Sequence, residues 1–140
     1  MQVKRLRPDV KVPYRATTNS AAFDIYMPES GYVSKNPKLF KLGFALTIPE
    51  GFVGILAPRS STGTKQGLCL TNTVGVIDSD YRGEVMAMMH ILPGFDILSF
   101  TKDARLIQLM VIPIYTGQIE VVTGELDSSD RGSGGFGSTN

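Results

Sequence analysis

Three short stretches of this chain gather side chains suited to a phosphorylated ligand. In Pro58-Arg59-Ser60-Ser61-Thr62, a guanidinium, hydroxyls and the free N–H groups that open a helical turn meet at one point. That is the composition of an anion site, although serine at a helix start also serves as a plain N-cap. In Gly75-Val76-Ile77-Asp78-Ser79-Asp80-Tyr81-Arg82-Gly83-Glu84, Asp78 follows an apolar pair and precedes a turn that returns into the Val85 strand. This predicts Asp78 at the mouth of a hairpin. A turn aspartate is usually only a turn former. Beside apolar strand residues and opposite an anion site, it is also a group able to hold and deprotonate a water, since aspartate is ionised at neutral pH. Asp24, between Phe23 and Ile25, is a third acidic candidate, and it reads equally well as the partner of an arginine or as a functional carboxylate.

The end of the chain is of another kind. From Asp127 to Asn140 it holds four glycines and one large apolar residue, Phe136, so it cannot pack a core of its own. Its arginine, aromatic ring and hydroxyls amid glycines fit a lid over a phosphorylated aromatic ligand as well as they fit a frayed terminus. Cys69, the single cysteine, sits between Leu68 and Leu70 and reads as a small buried apolar side chain; as a nucleophile it would need His90, the only histidine. His90 itself lies in an apolar strand and reads as a core or interface residue.

The elements that must position these groups are mostly strands. Leu42, Phe44, Leu46 and Ile48 alternate with Lys41, Gly43, Ala45 and Thr47, the period of a half-buried strand. Short apolar runs punctuated by turn residues recur at 52–56, 75–77, 85–89, 97–98, 106–112 and 119–122. Eight prolines and 15 glycines interrupt every window long enough for a substantial helix, leaving Ser60 to Gln66 as the one helical candidate. The expected fold is mostly β, a sandwich or barrel-like roll with at most one short helix. At 140 residues the chain fits one domain, 1–126, with 127–140 as its tail, and is small enough that shared burial in an oligomer would help. A net charge of +1 with 19% charged residues argues against a nucleic-acid or membrane surface built on bulk positive charge. No apolar run approaches the ~20 residues of a membrane helix, so a cytoplasmic protein is expected.

Five segments, in order and spacing, resemble the five motifs of the trimeric dUTPase family. Ala21-Ala22-Phe23-Asp24-Ile25 looks like the first, Pro58-Arg59-Ser60-Ser61 the second, Asn72 through Glu84 the third, Arg105-Leu106-Ile107-Gln108-Leu109 the fourth and Arg131 through Thr139 the fifth. The resemblance implies a jelly-roll-like subunit and a homotrimer with sites at its interfaces. It also implies a reaction that hydrolyses dUTP to dUMP and pyrophosphate, limits uracil incorporation into DNA and supplies dUMP for thymidylate synthesis. By the same match Asp78 activates the water that attacks the α-phosphorus, Asn72 and backbone groups around Val76, Ile77 and Met86 read uracil, and Tyr81 packs on the deoxyribose. Arg59, Ser60, Ser61 and Gln108 hold phosphates. Mg²⁺ is carried mainly by the triphosphate and water, with Asp24 touching it only through water. Arg131, Phe136, Gly137, Ser138 and Thr139 close over the nucleotide. A dCTP deaminase shares the implied fold but needs a different base and amine-handling residues. A nucleotide-responsive interaction protein could use the same pocket as an added role.

The chain departs from the family pattern at several points. Ala22 stands where glycine is usual, Thr62-Gly63-Thr64 weakens the helix expected after the second motif, and Asp103-Ala104-Arg105 moves a carboxylate by one residue. Arg105 is therefore read as structural. Ile107 is larger than the usual alanine, and His90 stands where asparagine is common.

Overall fold

The computed structural model describes residues 1–135 of the 140; Phe136, Gly137, Ser138 and Thr139 lie outside the described residues. The strands are β1 (Val3–Arg5), β2 (Phe23–Tyr26), β3 (Gly31–Val33), β4 (Lys38–Lys41), β5 (Phe44–Leu46) and β6 (Phe52–Pro58), followed by the helix α1 (Ser60–Gln66). Then come β7 (Leu68–Leu70), β8 (Gly75–Ile77), β9 (Met86–Ile91), β10 (Leu98–Phe100) and β11 (Arg105–Pro113). The fold is mostly β, with every ladder antiparallel. A four-stranded sheet runs in the order β2-β11-β6-β8 and a three-stranded one in the order β4-β9-β7, with the pairs β1-β5 and β10-β3 beside them.

Alternation is clearest in β9, whereas β5 is buried throughout. In β9, Ala87, Met89 and Ile91 point inward while Met86, Met88 and His90 point outward. In β11, Leu106, Ile107 and Leu109 are buried. They join Ile25, Phe44, Leu56 and Leu68 in one apolar cluster, each such side chain stabilising the fold by roughly 1.5–3 kcal/mol on burial. On the surface, the N-terminal segment is tied down through Asp9, which accepts from Arg7 at 2.9 Å and from Lys102 at 2.6 Å, while Arg7 also pairs with Glu29. Those hydrogen bonds, Arg7's first, hold the Asp9 carboxyl well below the usual carboxylate range.

Several local expectations change. The alternating run from 41 to 48 is two strands, because Gly43 adopts φ +75 and breaks β4 from β5. A Cβ at Gly43 would sit 2.6 Å from Val10 Cγ2, so only glycine fits the bend. Residues 119–122 form no strand: Ile119 and Val121 are almost fully exposed, because the chain leaves the body after Ile114, whose N–H still donates to the Gly51 carbonyl. Cys69 and His90 are not core residues. They are register partners on the outward side of β7 and β9, and His90 Nδ1 lies 3.1 Å from Thr71 Oγ1.

Candidate active site

The first cluster forms where β6 ends and α1 begins. Arg59 is the N-cap of α1 in extended conformation and makes no side-chain capping bond; its N–H donates to the carbonyl of Leu106. A register shift in β11 between Arg105 and Ile107 exposes that carbonyl, which also accepts from the Thr62 hydroxyl at 2.6 Å. Helix and strand are thereby joined at one oxygen. Asp24 pairs in register with Gln108, and Gln108 with Ala57, so β2 and β11 bring two of the expected residues side by side, with Arg59 just past the end of β6. The Asp24 carboxylate is buried and takes both arginines: Arg59 Nε donates to Oδ1 at 2.8 Å and Arg105 Nη1 to Oδ2 at 3.0 Å. Gln108 Nε2 donates to the Pro58 carbonyl at 3.1 Å. Ser60 and Ser61 are exposed, and among the described residues their hydroxyls have no partner.

The two arginines and one carboxylate carry a net charge of +1 at the mouth of a helical turn, with two free hydroxyls in front. That arrangement suits an anion bearing several oxygens. It does not make a cation cage: among the described residues no three His, Cys, Asp or Glu side chains gather to hold a metal. Each Asp24 oxygen keeps a lone pair beyond its arginine bond, enough to accept from a water on an ion that arrives with the ligand. Arg105, read as structural from the sequence, is thus a direct partner of an expected site residue. Its guanidinium lies 81 positions from Asp24 in the chain, so no local pattern pairs them.

The second cluster surrounds β8. Asn72 lies in the turn after β7, exposed, its side-chain amide without a partner among the described residues. β8 is the edge of its sheet, so alternate residues of Gly75–Ile77 turn backbone N–H and C=O outward. Val76 and Met86 are exposed, Ile77 is buried, and Tyr81 is 38% exposed. The Asp78 carboxylate is exposed, and among the described residues it has neither hydrogen bond nor ion pair; its carbonyl accepts the Tyr81 N–H at 3.2 Å. Asp78 does not stand in a paired hairpin. β8 pairs with β6 and β9 with β4 and β7, so the loop after Asp78 crosses between two sheets.

The two clusters lie at opposite ends of β6. Ile77, just before Asp78, pairs with Gly54, whereas Arg59 follows the last residue of the strand. Five residues at about 3.3 Å each separate them by roughly 16 Å along the sheet. A third group, the tail, begins with exposed Arg131 in a turn closed by Gly134 N–H on the Arg131 carbonyl.

The chain is similar in sequence and in fold to known proteins. The family model dUTPase matches residues 9–140. The chain is 37% identical over 143 residues to the deoxyuridine 5'-triphosphate nucleotidohydrolase of Yarrowia lipolytica, covering 99% of this chain and 88% of that one. It is 34% identical over 140 residues to the protein so named in Hydrogenobaculum sp., covering 98% and 95%. Among solved structures it resembles the dUTPase of Staphylococcus bacteriophage 80alpha with dUPNHPP, at a TM-score of 0.86 and 27% identity, over 99% of this chain and 97% of that one.

Proposed function

The chain belongs to the dUTPase family, and from that premise we propose that the two clusters of one protomer serve two different sites of a homotrimer. The reaction is that of a dUTP diphosphatase, in which dUTP and water give dUMP and pyrophosphate. The observation that carries the reading is the separation along β6. A carboxylate, its water and a phosphate gripped by a guanidinium span about 10 Å of hydrogen-bonded contacts, each close to 3 Å. Asp78 and Arg59 of one chain sit toward opposite ends of the strand, and Asp24 holds the Arg59 guanidinium on the β11 side of β6, away from β8, while each end of the strand displays groups free for a ligand. A second copy brings the ends together. The exposed apolar residues Tyr115, Ile119, Val121 and Leu126 support the same reading, since a segment of that composition needs a neighbour.

In the assembled site Asp78 accepts a proton from the water that attacks the α-phosphorus. Arg59, Ser60, Ser61 and Gln108 hold the phosphate oxygens, and charge neutralisation with positioning supplies most of the acceleration. Mg²⁺ borne by the triphosphate would offset its charge, with Asp24 holding water of its shell. Asn72 and the outward backbone of β8 and Met86 meet the uracil edge. Tyr81 lies under the deoxyribose, where a 2′-hydroxyl would find no room. Arg131, Phe136, Gly137, Ser138 and Thr139, within the 127–140 tail, close over the nucleotide.

The test mixes two defective variants, Asp78→Asn and Arg59→Ala, under conditions of subunit exchange. If base and guanidinium come from different protomers, a 1:1 mixture makes about one quarter of the sites complete, because each contributor is intact half the time. Pyrophosphate release from dUTP should rise from near zero to that fraction of wild type. No recovery after verified exchange would return both residues to one chain and remove the interface reading.

A further inference from the structure

Between Ile77 and Val85 the chain carries Asp78 and Tyr81 across open ground between two sheets. The hydrogen bonds of Asp78 to Gly83 close on the loop itself. Tyr81 N–H donates to the Asp78 carbonyl, and Arg82 Nη1 donates to the carbonyls of Ser79 at 2.7 Å and Tyr81 at 2.9 Å. The Tyr81 hydroxyl donates to the Glu84 carbonyl at 2.8 Å, and a Cβ on Gly83 would overlap the phenol. Among the described residues, only Glu84 ties this loop to the body by a side chain. Its Oε1 accepts the Gly43 N–H at 2.9 Å, and its Oε2 lies 3.8 Å from Lys41 Nζ. The Glu84 side chain is only 23% exposed, and Gly43 is the residue whose φ of +75 makes the bend between β4 and β5.

From this we infer that Glu84 is a positioning residue for sugar selection: its carboxylate, anchored on the Gly43 N–H, sets the height of the carbonyl that seats the Tyr81 ring. The inference rests on the reading of Tyr81 as the platform under the deoxyribose. Because the phenol already donates to Glu84, the ring and not the hydroxyl is presented to the ligand. Selection against a 2′-hydroxyl then depends on where the ring sits, and the peptide group that seats it is held twice, by the Val85 N–H on the Phe44 carbonyl at 2.9 Å and, through the side chain, by the Glu84 carboxylate on the Gly43 N–H. The Gly43 bond is charge-assisted and partly buried, whereas the Lys41 contact is long and solvated, so the glycine bond carries the effect.

The experiment measures kcat/KM for dUTP and for UTP in the full-length protein bearing Tyr81→Ala, Glu84→Ala, Glu84→Gln, Lys41→Met, and Tyr81→Ala with Glu84→Ala. Glu84→Ala should lower the dUTP to UTP ratio by about tenfold, the scale of one lost charge-assisted hydrogen bond. Glu84→Gln keeps an oxygen for the Gly43 N–H and should restore most of the ratio, and Lys41→Met should leave it unchanged. In the Tyr81→Ala background, Glu84→Ala should lower the ratio no further. A merely structural glutamate would reduce both substrates equally and add to Tyr81→Ala. If Tyr81→Ala narrows the ratio while Glu84→Ala does not, the inference fails and the sugar platform stands. If Tyr81→Ala leaves the ratio unchanged, the platform itself is wrong and the inference falls with it.

Discussion

Asp24 and Asp78 are both aspartates next to an apolar isoleucine, and nothing in their immediate neighbours separates an ion-pair partner from a base. Their distant neighbours do. Asp24 is buried with each oxygen committed to an arginine, whereas Asp78 is exposed and its carboxylate has no partner among the described residues. A committed carboxylate shapes the charge of a site, and a free one can take a proton. Asp78→Asn keeps the shape and removes the basicity, so turnover of dUTP should fall by a factor of about 10² to 10⁴, the range that general-base catalysis supplies. Binding of a nonhydrolysable dUTP analogue, followed by calorimetry, should stay within a few-fold of wild type. Near-normal pyrophosphate release by this variant would take the role away from Asp78. That Asp24 could pair with an arginine was legible, but the choice of Arg105 and the register of Cys69 with His90 were not, because partners far apart in the chain and fixed by strand register leave no local trace.

At the scale of elements, alternation and turn residues were enough to find β6, β8, β9 and β11, because burial of one sheet face imposes a period of two. What they could not show was pairing. The loop after Asp78 reads as a hairpin from its turn residues, yet β8 and β9 join different sheets, a choice made by long-range packing. The helix formed despite Thr62-Gly63-Thr64 because Thr62 is buried and its hydroxyl bonds the displaced Leu106 carbonyl. The break at Gly43 was equally hidden, since glycine on the solvent side of an alternating run looks like an ordinary strand position. Its importance is measurable. Gly43→Ala combines a left-handed backbone with a clash against Val10 and should cost about 2–4 kcal/mol. Gly51→Ala, at φ +78 with open space around it, isolates the backbone cost and should lose about 1 kcal/mol. Urea unfolding of both variants at one protein concentration gives the comparison. Equal losses would mean that the Val10 contact contributes nothing.

At the scale of the whole molecule, the chain leaves its own body after Ile114, and residues 115–126 run exposed with apolar side chains before the glycine-rich tail begins. Exposed apolar side chains such as these need a covering surface, and in a closed oligomer that surface belongs to a neighbouring subunit. The tail should therefore act in trans. Asp78→Asn with its tail intact supplies lids without bases, and a truncation after Asp130 that keeps Asp78 supplies bases without lids. Neither parent has a complete site. Co-refolded at 1:1, they should recover up to about one quarter of wild-type dUTP hydrolysis, since base and lid are each intact in half of the positions. A tail that served its own Asp78 would give no recovery, because every chain then lacks one of the two. Native mass spectrometry of the mixture establishes that mixed oligomers have formed. Inactivity in their presence would rule out a lid lent between subunits, while leaving the Asp78 and Arg59 exchange to be judged by its own mixture.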